Sequence, residues 1–142
     1  MIKETFSQEE TEKIGYELGA KAEAGQIYCL SGELGVGKTV FTKGFARGLG
    51  IDEHITSPTF TIINEYEGRL PFYHFDVYRV ANPEEMDYIG CDEYFFGGGI
   101  CLIEWGELIS DIIPDNAVWI KIEKDLNKGI NYRKITIGDA QK

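Results

Sequence analysis

The eight residues Gly32-Glu33-Leu34-Gly35-Val36-Gly37-Lys38-Thr39 constrain this chain more than any other stretch, because they satisfy G-x-x-x-x-G-K-[ST] at every fixed position. The apolar run Ile27 to Leu30 leads into them, and Phe41, Phe45, Ala46 and Leu49 follow at helical spacing. Strand, glycine loop and helix in that order are the setting in which such a loop wraps a phosphate chain. Glycines let successive main-chain N–H groups turn toward phosphate oxygens, and the helix adds its positive N-terminal end. Lys38 is expected to reach the β- and γ-phosphates, and the Thr39 hydroxyl to ligate Mg²⁺. The competing explanation is a glycine-rich turn, which chance supplies in roughly one chain in a hundred of this size and glycine content.

At 142 residues the chain is read as one domain, 1–142, with room for a single core and little for a separate lid or substrate domain. Parts that the chemistry needs are then expected from partners. A formal net charge of −10 opposes direct binding to a polyanion, so nucleic acid is an improbable direct ligand. Arg47, Arg69, Arg79 and Arg133 are the only arginines, which makes each one near the loop a candidate phosphate contact. Cys29, Cys91 and Cys101 lack metal or redox spacing and read as reduced thiols of a cytoplasmic protein. His54 and His74 show no paired ligand pattern, the start has no apolar signal core, and no apolar run approaches membrane length.

Taken in order, Ser7 to Glu10 reads as a capping box opening a helix from about Gln8 to Ala24. Thr11, Ile14, Leu18 and Ala22 form its core stripe, and Gly25 suits its exit. Gln26 to Ser31 is a buried strand, followed by the phosphate loop and a helix to about Gly48. Thr56-Ser57-Pro58-Thr59 is either turn chemistry or a switch segment whose hydroxyls sense a γ-phosphate. Phe60 to Tyr66 and Leu70 to Tyr78 read as a hairpin across Glu67-Gly68-Arg69, and Pro83 starts a helix. Two strands end in acids, at His74-Phe75-Asp76 and at Ile100-Cys101-Leu102-Ile103-Glu104, so Asp76 and Glu104 compete for the metal. Ala117 to Glu123 and Tyr132 to Ile137 read as a terminal hairpin. The whole is expected to be an α/β protein of three layers, with a mixed sheet parallel at its centre and antiparallel toward its edges, and helices on both faces.

Among nucleotide proteins, a small GTPase needs an Asn-Lys-x-Asp guanine reader. Here Asn127-Lys128-Gly129 runs into Ile130 and Asn131, with no carboxylate. A small-molecule kinase wants an arginine-bearing lid, for which four scattered arginines leave little room.

Four linked motifs go further. The phosphate loop, Thr56-Ser57-Pro58-Thr59-Phe60-Thr61, Tyr73-His74-Phe75-Asp76-Val77-Tyr78-Arg79 and Leu102-Ile103-Glu104-Trp105-Gly106-Glu107 together resemble the bacterial TsaE (YjeE) family of ATPases in tRNA threonylcarbamoyladenosine biosynthesis. The resemblance covers nearly the whole chain and implies a P-loop ATPase that uses ATP and Mg²⁺. It implies action with the TsaD and TsaB proteins, which sustain threonylcarbamoyl transfer to tRNAs reading A-starting codons, so that tRNA is met only indirectly. Carried over by position, Glu33, Gly35, Val36, Gly37, Lys38, Thr39 and Val40 would surround the phosphates, and Thr39 and Glu104 would take Mg²⁺. Asp76 would join them at the metal or position water, leaving Lys38, Asp76 and Glu104 as the catalytic set. Ser57 and Thr59 look like part of the family's switch loop, and Thr11 and Arg133 resemble residues lining its nucleotide pocket. Trp105 and Arg79 also match family positions.

Overall fold

A computed structural model describes residues 1–33, 35–56, 63–78 and 90–138. Its elements run β1 (Ile2–Thr5), α1 (Gln8–Lys21), β2 (Ile27–Ser31), α2 (Lys38–Gly48), β3 (Ile63–Glu67), β4 (Pro71–Asp76), α3 (Cys91–Phe95) and β5 (Ile100–Glu104). A 3₁₀ segment (Gly106–Ile112), β6 (Val118–Lys124) and β7 (Arg133–Gly138) complete them. The strands form one seven-stranded sheet in the order β1-β7-β6-β2-β5-β4-β3. Strands β6, β2, β5 and β4 are mutually parallel, while β1 on β7, β7 on β6 and β3 on β4 are antiparallel. The parallel centre and antiparallel edges expected from the sequence are therefore present.

Strand alternation builds the layers. Tyr28 and Leu30 of β2, Ile100 and Leu102 of β5 and Phe72 of β4 join Phe41 and Phe45 of α2 and Leu49 just after it in one apolar cluster. The intervening Ile27, Cys29, Cys101, Ile103 and Phe75 join Phe95 of α3 and Ile109 of the 3₁₀ segment in another. A strand buried on both faces reads as a continuous apolar run, as Ile27 to Leu30 does. All three cysteines are buried, and burial raises the Cys101 thiol to about 12 and pushes Cys29 up as well, so neither of these two is a ready thiolate.

At the start of α1 the Ser7 hydroxyl accepts from the Glu10 N–H at 3.1 Å, and Glu10 Oε1 accepts from the Phe6 N–H at 2.6 Å. This is the expected capping box, with its return bond one residue earlier than usual. Ser7→Ala is expected to cost about 1 kcal/mol, seen as a lower urea midpoint at unchanged slope.

The helix is shorter than the sequence suggested. It ends at Lys21 because Ala22 is already extended (φ −65°, ψ 142°), and Arg69 closes the end by donating to the Gly19, Ala20 and Ala22 carbonyls at 2.9, 3.4 and 3.0 Å. The stripe of Ile14, Leu18 and Ala22 does pack on the core, but the closest approach to α2 is made by glycines. A β-carbon on Gly15 would stand 2.3 Å from the Phe41 carbonyl oxygen, and one on Gly44 would stand 2.0 Å from that of Glu12. The start of the expected strand at Phe60 and the helix at Pro83 lie outside the described residues.

Candidate phosphate site

The loop motif begins where β2 ends, at Ser31. α2 begins at Lys38 with Gly37 as its cap, and Gly37 has a left-handed backbone (φ 107°) and no side chain to offer the helix. The first-turn N–H groups of a helix have no partners within it, so this end is open to an anion. Gly35 also has positive φ (77°), and a β-carbon there would meet nothing within 4 Å, so its backbone conformation rather than crowding is what calls for glycine.

Lys38 is folded into this loop rather than extended into solvent. Only 6% of it is exposed; its Nζ donates to the Gly32 carbonyl at 2.9 Å and lies 4.0 Å from the centroid of the Trp105 ring. Trp105 is the one non-glycine among the described residues with positive φ (66°), and it also packs on Tyr78 with ring centroids 4.8 Å apart. A bulky residue in that region stores on the order of 1–3 kcal/mol of strain, and such strain concentrates at functional sites. Next to Lys38, the Thr39 side chain is exposed at the helix start.

The two acids stand side by side. Parallel pairing of β4 with β5 sets Asp76 opposite Glu104, and pairing of β2 with β5 sets Leu30 opposite Glu104, so both carboxylates sit at the strand ends where the loop begins. Their environments differ. Glu104 is 4% exposed and its Oε2 lies 2.6 Å from Nε2 of His74, itself 1% exposed. Asp76 is half-buried and its Oδ1 accepts from the Tyr78 N–H at 3.0 Å, a turn closure that ends the strand. His74, which shows no paired ligand pattern in the sequence, is thus the histidine that belongs to this site; its signal is the alternation that puts residues 72, 74 and 76 on one face of the sheet.

Two clefts flank the loop. One, of about 70 Å³, is lined by Thr11, Gly35, Val36, Gly37, Val40 and Arg133 together with Ser7, Gln8 and Asn131. Residues as far apart as Thr11 and Arg133 are therefore brought to the loop. Thr11 is buried, with its Oγ1 2.7 Å from that of Thr5, and Arg133 Nε donates to the Val36 carbonyl at 2.6 Å. The other cleft, of about 400 Å³, is lined by Glu33, Gly32, Val36, Trp105, Glu107 and residues 121–124 of β6. Glu33 thus lies apart from the Thr11 and Arg133 cleft. Ser57, Thr59 and Arg79 lie outside the described residues. Of the other arginines, Arg47 pairs with Glu12 at 2.6 Å on the surface and Arg69 caps α1, so neither is a phosphate contact.

Among the described residues no three His, Cys, Asp or Glu side chains gather as a metal cage. Mg²⁺ is ordinarily held through one or two protein oxygens plus phosphate and water rather than by an all-protein cage. A hydroxyl, one buried carboxylate and an adjacent second carboxylate are the right donor set for it.

The family model described as "Threonylcarbamoyl adenosine biosynthesis protein TsaE" matches residues 5–135. A "tRNA threonylcarbamoyladenosine biosynthesis protein TsaE" of Bacillus subtilis is 48% identical over 133 residues, spanning 93% of this chain and 81% of the relative. Its namesake in Treponema pallidum is 47% identical over 116 residues, 82% of this chain and 86% of the relative. The crystal structure of Bacillus subtilis YdiB superposes with a TM-score of 0.81 at 43% identity, covering 99% of this chain and 86% of that one. With a family model matched over residues 5–135 and relatives nearly half identical over most of its length, the chain belongs to the TsaE family.

Proposed function

We propose that this chain binds and hydrolyses Mg-ATP, and that hydrolysis sustains turnover of the TsaD–TsaB threonylcarbamoyl transferase during threonylcarbamoyladenosine modification of tRNAs reading A-starting codons. The relatives in Bacillus subtilis and Treponema pallidum carry the name of that biosynthesis. The observation that carries the ATPase reading is the buried Lys38, its Nζ held against the Gly32 carbonyl and the ring of Trp105, the residue that follows the buried Glu104.

In this reading, water attacks the γ-phosphorus in line with the bond to the β,γ-bridging oxygen. That bond breaks, and ADP and inorganic phosphate leave. Lys38 gives up the Gly32 carbonyl for a phosphate oxygen and neutralises charge on the equatorial oxygens, while main-chain N–H groups of residues 35–40 hold the rest of the chain. Thr39 and Glu104 would hold Mg²⁺, which supplies Lewis-acid neutralisation of the phosphates when bound. Asp76, more open than Glu104, is suited to orient the attacking water.

Among the described arginines Arg133 is the one at the loop, and its Nε and Nη1 are already spent on the Val36, Ile130 and Tyr132 carbonyls, so the described residues supply no free arginine finger. Turnover by the isolated chain is therefore slow and rises when the partners bind. The net charge of −10 suits a protein that acts on the transferase rather than gripping tRNA itself.

The test is reconstituted tRNA modification with TsaD and TsaB, counting turnovers per complex with and without this chain. Wild type is expected to give many turnovers. Glu104→Ala should stall the cycle and lower hydrolysis at limiting Mg²⁺ by at least about tenfold, with a much smaller change in ATP affinity. Normal hydrolysis by Glu104→Ala at limiting Mg²⁺ would remove the metal assignment, and equal turnovers without the chain would remove the role.

A further inference from the structure

We propose that His74 is a positioning residue for Glu104: its imidazole holds one carboxylate oxygen so that the other is presented to the nucleotide's Mg²⁺. The inference rests on the reading of Glu104 as a metal ligand and adds a residue to it.

Register explains how the pair forms. His74 lies opposite Leu102 and Asp76 opposite Glu104, so the imidazole reaches diagonally to the acid two residues further along β5. Both strands send these side chains to the face that carries α2, where Phe72 lies nearly parallel to the imidazole, 8° between planes and 6.2 Å between centroids. The ring thus has a neighbour that limits its tilt. Its other nitrogen, Nδ1, is buried and has no partner among the described residues. An orphaned N–H costs more than an orphaned lone pair, which assigns the proton to Nε2, so that His74 donates to Glu104 Oε2 across 2.6 Å. That bond occupies Oε2 and leaves Oε1 with its lone pairs. A carboxylate as buried as Glu104 needs such a donor, and one that ligates a metal needs its rotamer fixed as well.

A purely structural pair would stabilise the fold without touching the metal, so the readout is metal affinity. Mn²⁺ is titrated onto the full chain in complex with ADP, with free Mn²⁺ followed by paramagnetic resonance. ADP affinity without metal and thermal unfolding are recorded alongside. Glu104→Ala and His74→Leu are both expected to weaken Mn²⁺ by at least about tenfold, with metal-free ADP affinity within about threefold of wild type. His74→Gln, whose amide nitrogen reaches close to where Nε2 stands, should recover most of the loss, and His74→Asn, one bond shorter, should not.

Wild-type Mn²⁺ affinity in folded His74→Leu, with Glu104→Ala impaired, overturns the role of His74 alone. Unchanged affinity in Glu104→Ala overturns the metal reading and this inference with it. Should His74→Leu fail to fold, the Gln and Asn variants decide, and equal affinities in the two would be fatal to the proposal.

Discussion

Replacing Lys38 with methionine is expected to lower ATP hydrolysis by at least about a hundredfold, and to abolish calorimetric uptake of ATP at concentrations that saturate the wild type. Methionine keeps an unbranched apolar stem of similar length under Trp105, so the substitution removes charge with little change in packing. Stability is governed by opposing terms. The variant loses a cation–π contact worth roughly 0.5–2 kcal/mol and a charge-assisted bond to Gly32 worth roughly 1.5–3 kcal/mol. It gains relief from burying an ammonium group that is only 6% exposed. These offset, so the unfolding midpoint should move little while phosphate binding collapses. Phosphate release at wild-type rate from the folded variant would rule out the loop as the reacting site.

Gly44→Ala is expected to destabilise the fold by about 3 kcal/mol, a fall of roughly 10 °C in the unfolding midpoint by circular dichroism. Intrinsic helix propensity predicts the opposite sign, since alanine is favoured over glycine inside a helix by about 1 kcal/mol. The steric term wins because the new methyl would stand 2.0 Å from the Glu12 main-chain oxygen, which has no flexible end to swing away. The same holds at Gly19, 2.1 Å from the Phe45 oxygen, and at Gly48, 2.3 Å from that of Tyr16. Gly98 is the control: nothing lies within 4 Å of its added carbon, and Gly98→Ala should stay within about 0.5 kcal/mol of wild type. A Gly44→Ala protein as stable as the parent would mean that α1 and α2 are not in main-chain contact.

Patterns confined to one element were legible in the sequence, and pairings between elements were not. The strand 27–31 and the helix from Lys38 carry their own periodicity and their own glycine punctuation, so both emerged within a residue. Strand β1 did not. Only Thr5 of its four residues is buried, and what makes it a strand is β7, more than a hundred residues away. Gly15 and Gly19 carry no signal within their own helix, because their value lies in what α2 brings up against them. Asp76 and Glu104 were recognisable as strand-end acids, yet only the β4–β5 register makes them neighbours and gives the more buried one to His74. Thr11 and Arg133 came from family likeness rather than local chemistry. They converge on the loop because α1 packs on α2 while β7 lies two strands from β2.

The glycine seam between α1 and α2 has a geometric corollary. Thr11 of α1 and Val40 of α2 both line the smaller cleft, and the spacing of the two helices is set by hydrogen atoms and carbonyls about one to two turns further down them. The seam therefore works as a ruler. Any wedge driven into it splays the pair at the far end too, so substitutions that never meet a nucleotide will surface as defects in holding one.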